Sequence, residues 1–326
     1  MSHAISILGI GTALPSNEVT SAQLDDALNL EQGRIEKTTG LVKRHFYQGH
    51  NPNELALKAV QKALQNAQMS IDEIDCIIQS GATMEQAIPY NAAGLHRLLN
   101  PKRPIASFDV NMTCLSVLRA FELASHLFES YRTILIVSCD VHSVGLDWSD
   151  IRTAGIFGDG ASAMIVSQSK SGGILVSNFE THSSGYDYCQ VRGCGVKVHP
   201  NRFEGEYKTT SNFEMNGKRL FKLVSQVLPE FIERTLASAR LRLSDIDWVV
   251  PHQASQSSLD HMVKLLGIEK AKLIDIFKTH GNQVASSIPF ALETLMQKND
   301  FQSGQKVMMV GTSAGLGLGL VVWEVP

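Results

Sequence analysis

Glu73-Ile74-Asp75-Cys76-Ile77-Ile78 returns 172 residues later as Asp245-Ile246-Asp247-Trp248-Val249-Val250. Each copy is an acidic–apolar lead into a short apolar run, and each follows a segment with helical apolar spacing. A run of this length after an amphipathic helix reads as a strand of a covered sheet. The offset is about half of the 326-residue chain. A six-residue match can arise by chance, but the preceding helices favour a duplicated α/β unit. Duplication would bring equivalent strand ends of both halves together, a natural place for one shared site.

The rest of the chain keeps the alternation. Apolar runs rich in β-branched residues stand at Ile5–Ile10, Ile105–Val110, Thr133–Ser138, Ala163–Val166 and Val307–Val310. Leu55, Ala59, Val60, Ala63 and Leu64 form one helical stripe. Leu220, Leu223, Val224, Val227, Leu228, Phe231 and Ile232 form another. The fold class is therefore α/β with buried sheets. Halves of 1–170 and 171–326 follow from the repeat. The polar stretch from about Ser183 to Thr210 reads as a large loop region.

Composition narrows the functional classes. Hydrophobic residues make up 44% and charged residues 19%, against roughly 25% charged in an average soluble protein. That balance excludes a disordered chain. With Lys+Arg 29 and Asp+Glu 32, the formal charge is −3. No global basic excess of the kind nucleic-acid binders carry is present. Five cysteines without a CxxC pair argue against a disulfide framework or a zinc ribbon, and no metal site is expected. The N-terminus reads as a first strand and not a signal peptide, and Ala314 to Trp323 is too short and glycine-rich to span a membrane. The expectation is a cytoplasmic protein without membrane insertion.

Gly9-Ile-Gly11 lacks the rest of a dinucleotide fingerprint and reads as a strand-end turn. Gly311-Thr312-Ser313-Ala314-Gly315 matches a nucleophile elbow, but neither histidine nor aspartate follows Ser313, so the match is a coincidence. Three other positions carry more. Ile105–Val110 runs through Asn111-Met112-Thr113 to Cys114 and a helix over Leu115–Glu129. The N–H groups and dipole at a helix start favour a thiolate. His252 stands just past the run Trp248–Val250, and Asn282 follows His280-Gly281. Each has a plainer reading: a buried thiol, a structural histidine, a turn. Together, a thiol, an imidazole and an amide at strand ends suit acyl transfer through a thioester followed by attack of a stabilised carbanion.

Asp109-Val-Asn-Met-Thr-Cys114, Phe157-Gly-Asp-Gly-Ala161, Met215-Asn-Gly217, Pro251-His-Gln-Ala254 and His280-Gly-Asn282…Ala285-Ser-Ser-Ile-Pro289 resemble, in order, the corresponding words of β-ketoacyl-ACP synthase III, a thiolase-like family. The resemblance covers essentially the whole chain. It implies a duplicated five-layered α-β-α-β-α fold, a homodimer, and a transferase that needs no metal or organic cofactor. Cys114 would take an acyl group from a thioester, with the backbone N–H groups of Cys114 and Gly315 as oxyanion hole. A glycine at 315 would leave the acyl group uncrowded. His252 and Asn282 would hold the enolate formed when a malonyl-type thioester on acyl carrier protein loses CO2. Asn282 favours decarboxylation, because relatives that skip that step often carry an acid there.

Departures affect the donor. A tryptophan that stacks on the adenine of CoA in many members is Arg34 here, a common arginine is Thr38, and His-Gln-Ala-Asn ends in Ser255, with Ser257 in place of a further arginine. The donor is then either a CoA ester bound differently or an acyl group already on a carrier. Arg34 retains the means to stack on adenine or pair with phosphate. Gln86-Ala-Ile88-Pro89 resembles the loop that reaches the floor of the partner's acyl pocket, and Ile88 points to a medium or branched chain, with Met112 and Leu115 as further pocket residues. Lys218, Arg219, Lys222 and Lys264 make a basic face suited to an acidic carrier protein. Two other functions stay open: acyl transfer to an amine or hydroxyl, and a subunit of a heteromeric ketosynthase. The departures lean towards specialised-metabolite synthesis over housekeeping fatty-acid synthesis.

Overall fold

The computed structural model describes residues 4–326, so Met1-Ser2-His3 of the predicted first strand lie outside the described residues. The main strands are β1 (Ser6–Ala13), β2 (Cys76–Gln79), β3 (Ala106–Asp109), β4 (Thr133–Asp140), β5 (Gly160–Ser167), β6 (Gly173–Thr181), β7 (Trp248–Pro251), β8 (Lys306–Ser313) and β9 (Gly317–Glu324). The main helices are α1 (Pro52–Ala67), α2 (Asn91–Leu99), α3 (Ser116–Leu127), α4 (Gly217–Ser238), α5 (Gln256–Leu266) and α6 (Ser287–Met296).

One sheet has the order β1-β5-β4-β2-β3 and the other β7-β8-β9-β6. In the first, β4 and β2 are parallel, while β5 runs antiparallel to both β4 and β1. In the second, β7 and β8 are parallel, while β9 runs antiparallel to both β8 and β6. The two halves thus share one design. The counterpart of β3 has shrunk to a single parallel bridge between Val249 and Leu273. The sequence repeat falls on β2 and β7, and a 3₁₀ turn precedes each, Ile71–Glu73 and Leu243–Asp245.

Side-chain alternation explains the layers. On β8, Val307 and Met309 enter the central core, while Met308 and Val310 enter an outer one. On β4, Ile134 and Ile136 point to the same central core, and Leu135 and Val137 to the opposite outer core. Strands covered on both faces lose the polar alternation of a half-exposed sheet. Helices α1 and α2 cover the first sheet, α3 and α6 fill the middle, and α4 and α5 cover the second sheet. This is the five-layered α-β-α-β-α fold. The Trp323 indole N–H donates to the Ile5 carbonyl at 3.2 Å, tying the last strand to the first half.

Two expectations change. Gly9 and Gly11 do not form a turn but lie inside β1, with a register shift between Ile7 and Gly9. A Cβ on Gly11 would sit 2.5 Å from the Ala59 carbonyl oxygen and the Ala63 nitrogen of α1. The glycine is there because the helix backbone lies against the strand. Gly11→Ala should lower stability by about 1–3 kcal/mol, read as a lower urea midpoint at unchanged m-value. The Ala314–Trp323 run, too short to span a membrane, is mostly strand β9, and β6 opens on an apolar run of only three residues, Ile174-Leu175-Val176. The stretch read as a loop holds a helical turn (Ser183–Tyr188) and a strand (Cys189–Val191) paired to Phe213–Met215.

Candidate active site

The strands β2, β3, β4, β7 and β8 end at one place in the seam between the sheets, and the residues that follow them surround a cavity of about 1420 Å³. Small-molecule pockets usually span about 300–1,000 Å³. Cys114, His252 and Asn282 all line it. So do Ala314, Gly315, Lys218, Ser255 and Thr38. Met84, Val144, Tyr186, Val191, Val196, Phe221 and Leu265 also line it, and each is an exposed large apolar side chain. The lining thus carries a band of exposed apolar side chains, beside the cations Lys37, Arg152, Arg192, Lys197 and Lys218.

Cys114 lies in a 3₁₀ turn, Thr113–Leu115, just ahead of α3. Thr113 has φ 48°, a left-handed value unusual for a β-branched residue. Its N–H donates to Asn111 Oδ1 at 2.8 Å, and Ser116 Oγ bonds both the Met112 N–H and the Thr113 carbonyl, at 2.8 and 2.7 Å. These bonds hold the turn in shape. Burial works against the expected thiolate. Burial, then the charges of Asp140 and Cys189, push the Cys114 thiol up to about 12, against the opposing pull of the Ala314 and Cys114 N–H groups. Desolvation outweighs the helix start.

That pairing bears on the expected oxyanion hole of the Cys114 and Gly315 N–H groups. The second N–H that acts on Cys114 belongs to Ala314 and not to Gly315. Ala314–Leu316 is the turn between β8 and β9, and Gly315 has φ 80°. A Cβ at Gly315 would meet nothing within 4 Å. Glycine is thus required there by backbone conformation, not by crowding within the protein.

His252 is buried, and its N–H donates to the Val310 carbonyl at 2.8 Å. A Cβ on Gly311 would lie 2.6 Å from the His252 Cβ, so that glycine makes room for the histidine. Burial lowers the imidazole to about 4, so the ring is neutral. Its Nδ1 lies 2.7 Å from Ser287 Oγ, at the start of α6. The hydroxyl also lies 3.0 Å from the Val284 carbonyl. When it turns to Nδ1, the single ring N–H stands at Nε2. Asn282 Oδ1 accepts the Val284 N–H at 2.9 Å, and Nδ2 donates one hydrogen to the Ala254 carbonyl at 3.3 Å. The second Nδ2 hydrogen is uncommitted.

Other predicted residues stand elsewhere. Leu115 is fully buried in the central core, its methyls beside Gly311 and Gly319, and does not line the cavity. Met112 packs beneath the hairpin, its methyl near Gly317, and does not line it either. Arg34, Arg219, Lys222 and Lys264 are exposed and lie outside the lining. Ile88 is 87% exposed and away from this chain's own cavity. Sequence reasoning passed over Ser287, Ala314 and Asp140. Asp140 is buried at the end of β4 and accepts from the Ala82, Thr83 and Ala285 N–H groups and Ser138 Oγ, at 2.7–3.1 Å. A buried acid closing an apolar run was its only signal.

A model described as 3-oxoacyl-[acyl-carrier-protein] synthase III matches residues 108–185, and its C-terminal companion matches residues 236–325. A β-ketoacyl-[acyl-carrier-protein] synthase III of Clostridium perfringens is 30% identical over 317 residues, covering 96% of this chain and 97% of that one. The chain belongs to the β-ketoacyl-ACP synthase III family. The Wolbachia pipientis family member is 32% identical over 321 residues, covering 97% and 98%. The crystal structure of the Aquifex aeolicus 3-oxoacyl-ACP synthase III superposes with a TM-score of 0.88 at 25% identity, covering 98% and 99%. The protein is accordingly a thiolase-fold condensing enzyme of the acyltransferase type. Among the described residues, no helix is long and apolar enough to cross a membrane, and no cluster of His, Cys, Asp or Glu is arranged to hold a metal ion.

Proposed function

We propose that the enzyme acylates Cys114 from an acyl thioester and condenses that acyl group decarboxylatively with a malonyl-type thioester on acyl carrier protein. The observation that carries this reading is the convergence of Cys114, His252 and Asn282 on one cavity, with an amide hydrogen of Asn282 left to donate. In the first step the Cys114 sulfur attacks the thioester carbonyl. The oxyanion is met by the N–H groups of Cys114 and Ala314, the donor thiol leaves, and the Cys114 proton is lost to it. In the second step the malonyl carboxylate leaves as CO2. Its bonding pair becomes an enolate, whose oxygen takes hydrogen bonds from His252 Nε2–H and Asn282 Nδ2–H. The enolate carbon attacks the acyl carbonyl, and the sulfur of Cys114 departs as thiolate. The neutral state of His252 suits a donor that must not surrender its proton.

In this reading the half 1–170 supplies the nucleophile, the half 171–326 supplies the enolate donors, and no cofactor takes part. The band of exposed apolar side chains on the lining and the position of Arg34 outside it support delivery of the donor on a carrier protein. Lys218 on the cavity lining, with Arg219 and Lys222 beside it in α4 and Lys264 on α5, would meet that acidic partner, and Ser255 would face the pantetheine arm. The exposed Ile88 supports a homodimer in which this loop reaches the partner's acyl pocket. The test is intact-mass analysis. An acyl adduct on Cys114 should be discharged by malonyl-carrier protein with one CO2 released per adduct. Discharge to an added amine or alcohol without CO2 would overturn the condensation in favour of plain acyl transfer.

A further inference from the structure

His142 follows Asp140-Val141 at the end of β4 and lines the same cavity as Cys114. Its ring packs on Phe157 with centroids 4.5 Å apart, and edge-on against Phe213 at 4.9 Å. Those two phenylalanines meet each other at 5.3 Å. Cys114 and Phe213 both pack against the small apolar cluster that contains Phe157. The imidazole and the thiol therefore both adjoin that cluster and line the one cavity. Its Nε2 is buried and has no hydrogen-bond partner, and burial lowers the ring to about 4, so it is neutral. Thr113 Oγ1, on the same cavity, is likewise buried and unpartnered.

A polar atom buried without a partner costs stability, and a leucine in this aromatic corner would avoid that cost. An apolar wall that nevertheless keeps two unsatisfied polar atoms is built for an apolar ligand with a polar point on it. A neutral imidazole offers one donor and one acceptor, which suits a hydroxyl or carbonyl oxygen. We propose that His142 is a specificity residue that hydrogen-bonds an oxygen on the acyl chain carried by Cys114, so that oxygenated acyl thioesters are preferred over plain alkanoyl ones. This rests on the reading of Cys114 as the acylated residue.

The test compares thioesters that differ only by oxygen for methyl: 3-hydroxybutyryl against 3-methylbutyryl, and 4-hydroxybenzoyl against 4-methylbenzoyl, each as the pantetheine ester. Single-turnover acylation of Cys114 is followed by intact mass. The native enzyme should prefer the oxygenated member of at least one pair by about tenfold or more, because a site made for a hydroxyl discriminates against its absence. His142→Leu should erase that preference and raise the melting temperature by about 2–4 °C. His142→Gln, which retains donor and acceptor, should keep part of it. Equal rates within every pair, or a preference unchanged in His142→Leu, overturns this proposal alone. No adduct from any ester overturns the acyl-cysteine reading and this proposal with it.

Discussion

Cys114→Ala is expected to show no acyl adduct by intact mass with any thioester, and to lose condensation by a factor on the order of 10⁶, the scale seen when a nucleophile is removed. Cys76 and Cys139 are buried and off the cavity, whereas Cys189 and Cys194 share its lining, so loss of the adduct in this variant is what assigns it to Cys114. The native protein carries a second signature. Only the thiolate attacks, and burial raises the Cys114 thiol to about 12. The thiolate fraction then rises about tenfold per pH unit throughout the range in which the protein is handled. Alkylation of Cys114 by iodoacetamide should climb with pH from 7 to 10 without levelling, where a solvated thiol would level near ~8.5. A plateau at or below neutral pH would show a stabilised resting thiolate and refute the desolvated one.

Asn282→Ala should leave the first step nearly intact and slow the second by about 10²–10³, the usual cost of one oxyanion donor. The acyl adduct would then accumulate on Cys114 in the presence of malonyl-carrier protein, with CO2 release falling in step. Because burial holds His252 near 4, the residual second step should show no inflection from that ring between pH 5.5 and 8. If Asn282→Ala discharges the adduct at the native rate, the enolate is held elsewhere.

The sheet strands that the sequence discloses are those covered on both faces, such as β2 and β4, because burial on both sides writes a continuous apolar run. β6 escapes notice because its short apolar start, Ile174-Leu175-Val176, gives way to five polar or partly exposed residues from Ser177 to Thr181. β9 is hidden by Gly317 and Gly319, which serve close packing against Met112 and Phe179. Of the site, the words around Cys114, His252 and Asn282 are legible because each sits where an apolar run stops. The identity of the second backbone donor is not, since Ala314 and Gly315 differ only in which peptide the hairpin turn presents. Leu115 could not be assigned from sequence either: one residue after the nucleophile, the chain turns into α3 and carries that side chain into the central core. His142 carries the same signal as His252, an imidazole just past a buried strand, and was passed over because no familiar word surrounds it.

The middle layer, built from α3 and α6, belongs to both sheets at once. α3 begins two residues after the thiol, and α6 begins with the serine that touches the imidazole. The reacting groups are thus mounted on opposite walls of one vault with a common keystone. Their spacing is inherited from core packing and needs no hinge to set it. This arrangement also lets the two copies of the repeat differ. One has the edge strand β3 and carries Cys114; the other has only the bridge at Leu273 in that place and carries His252 and Asn282.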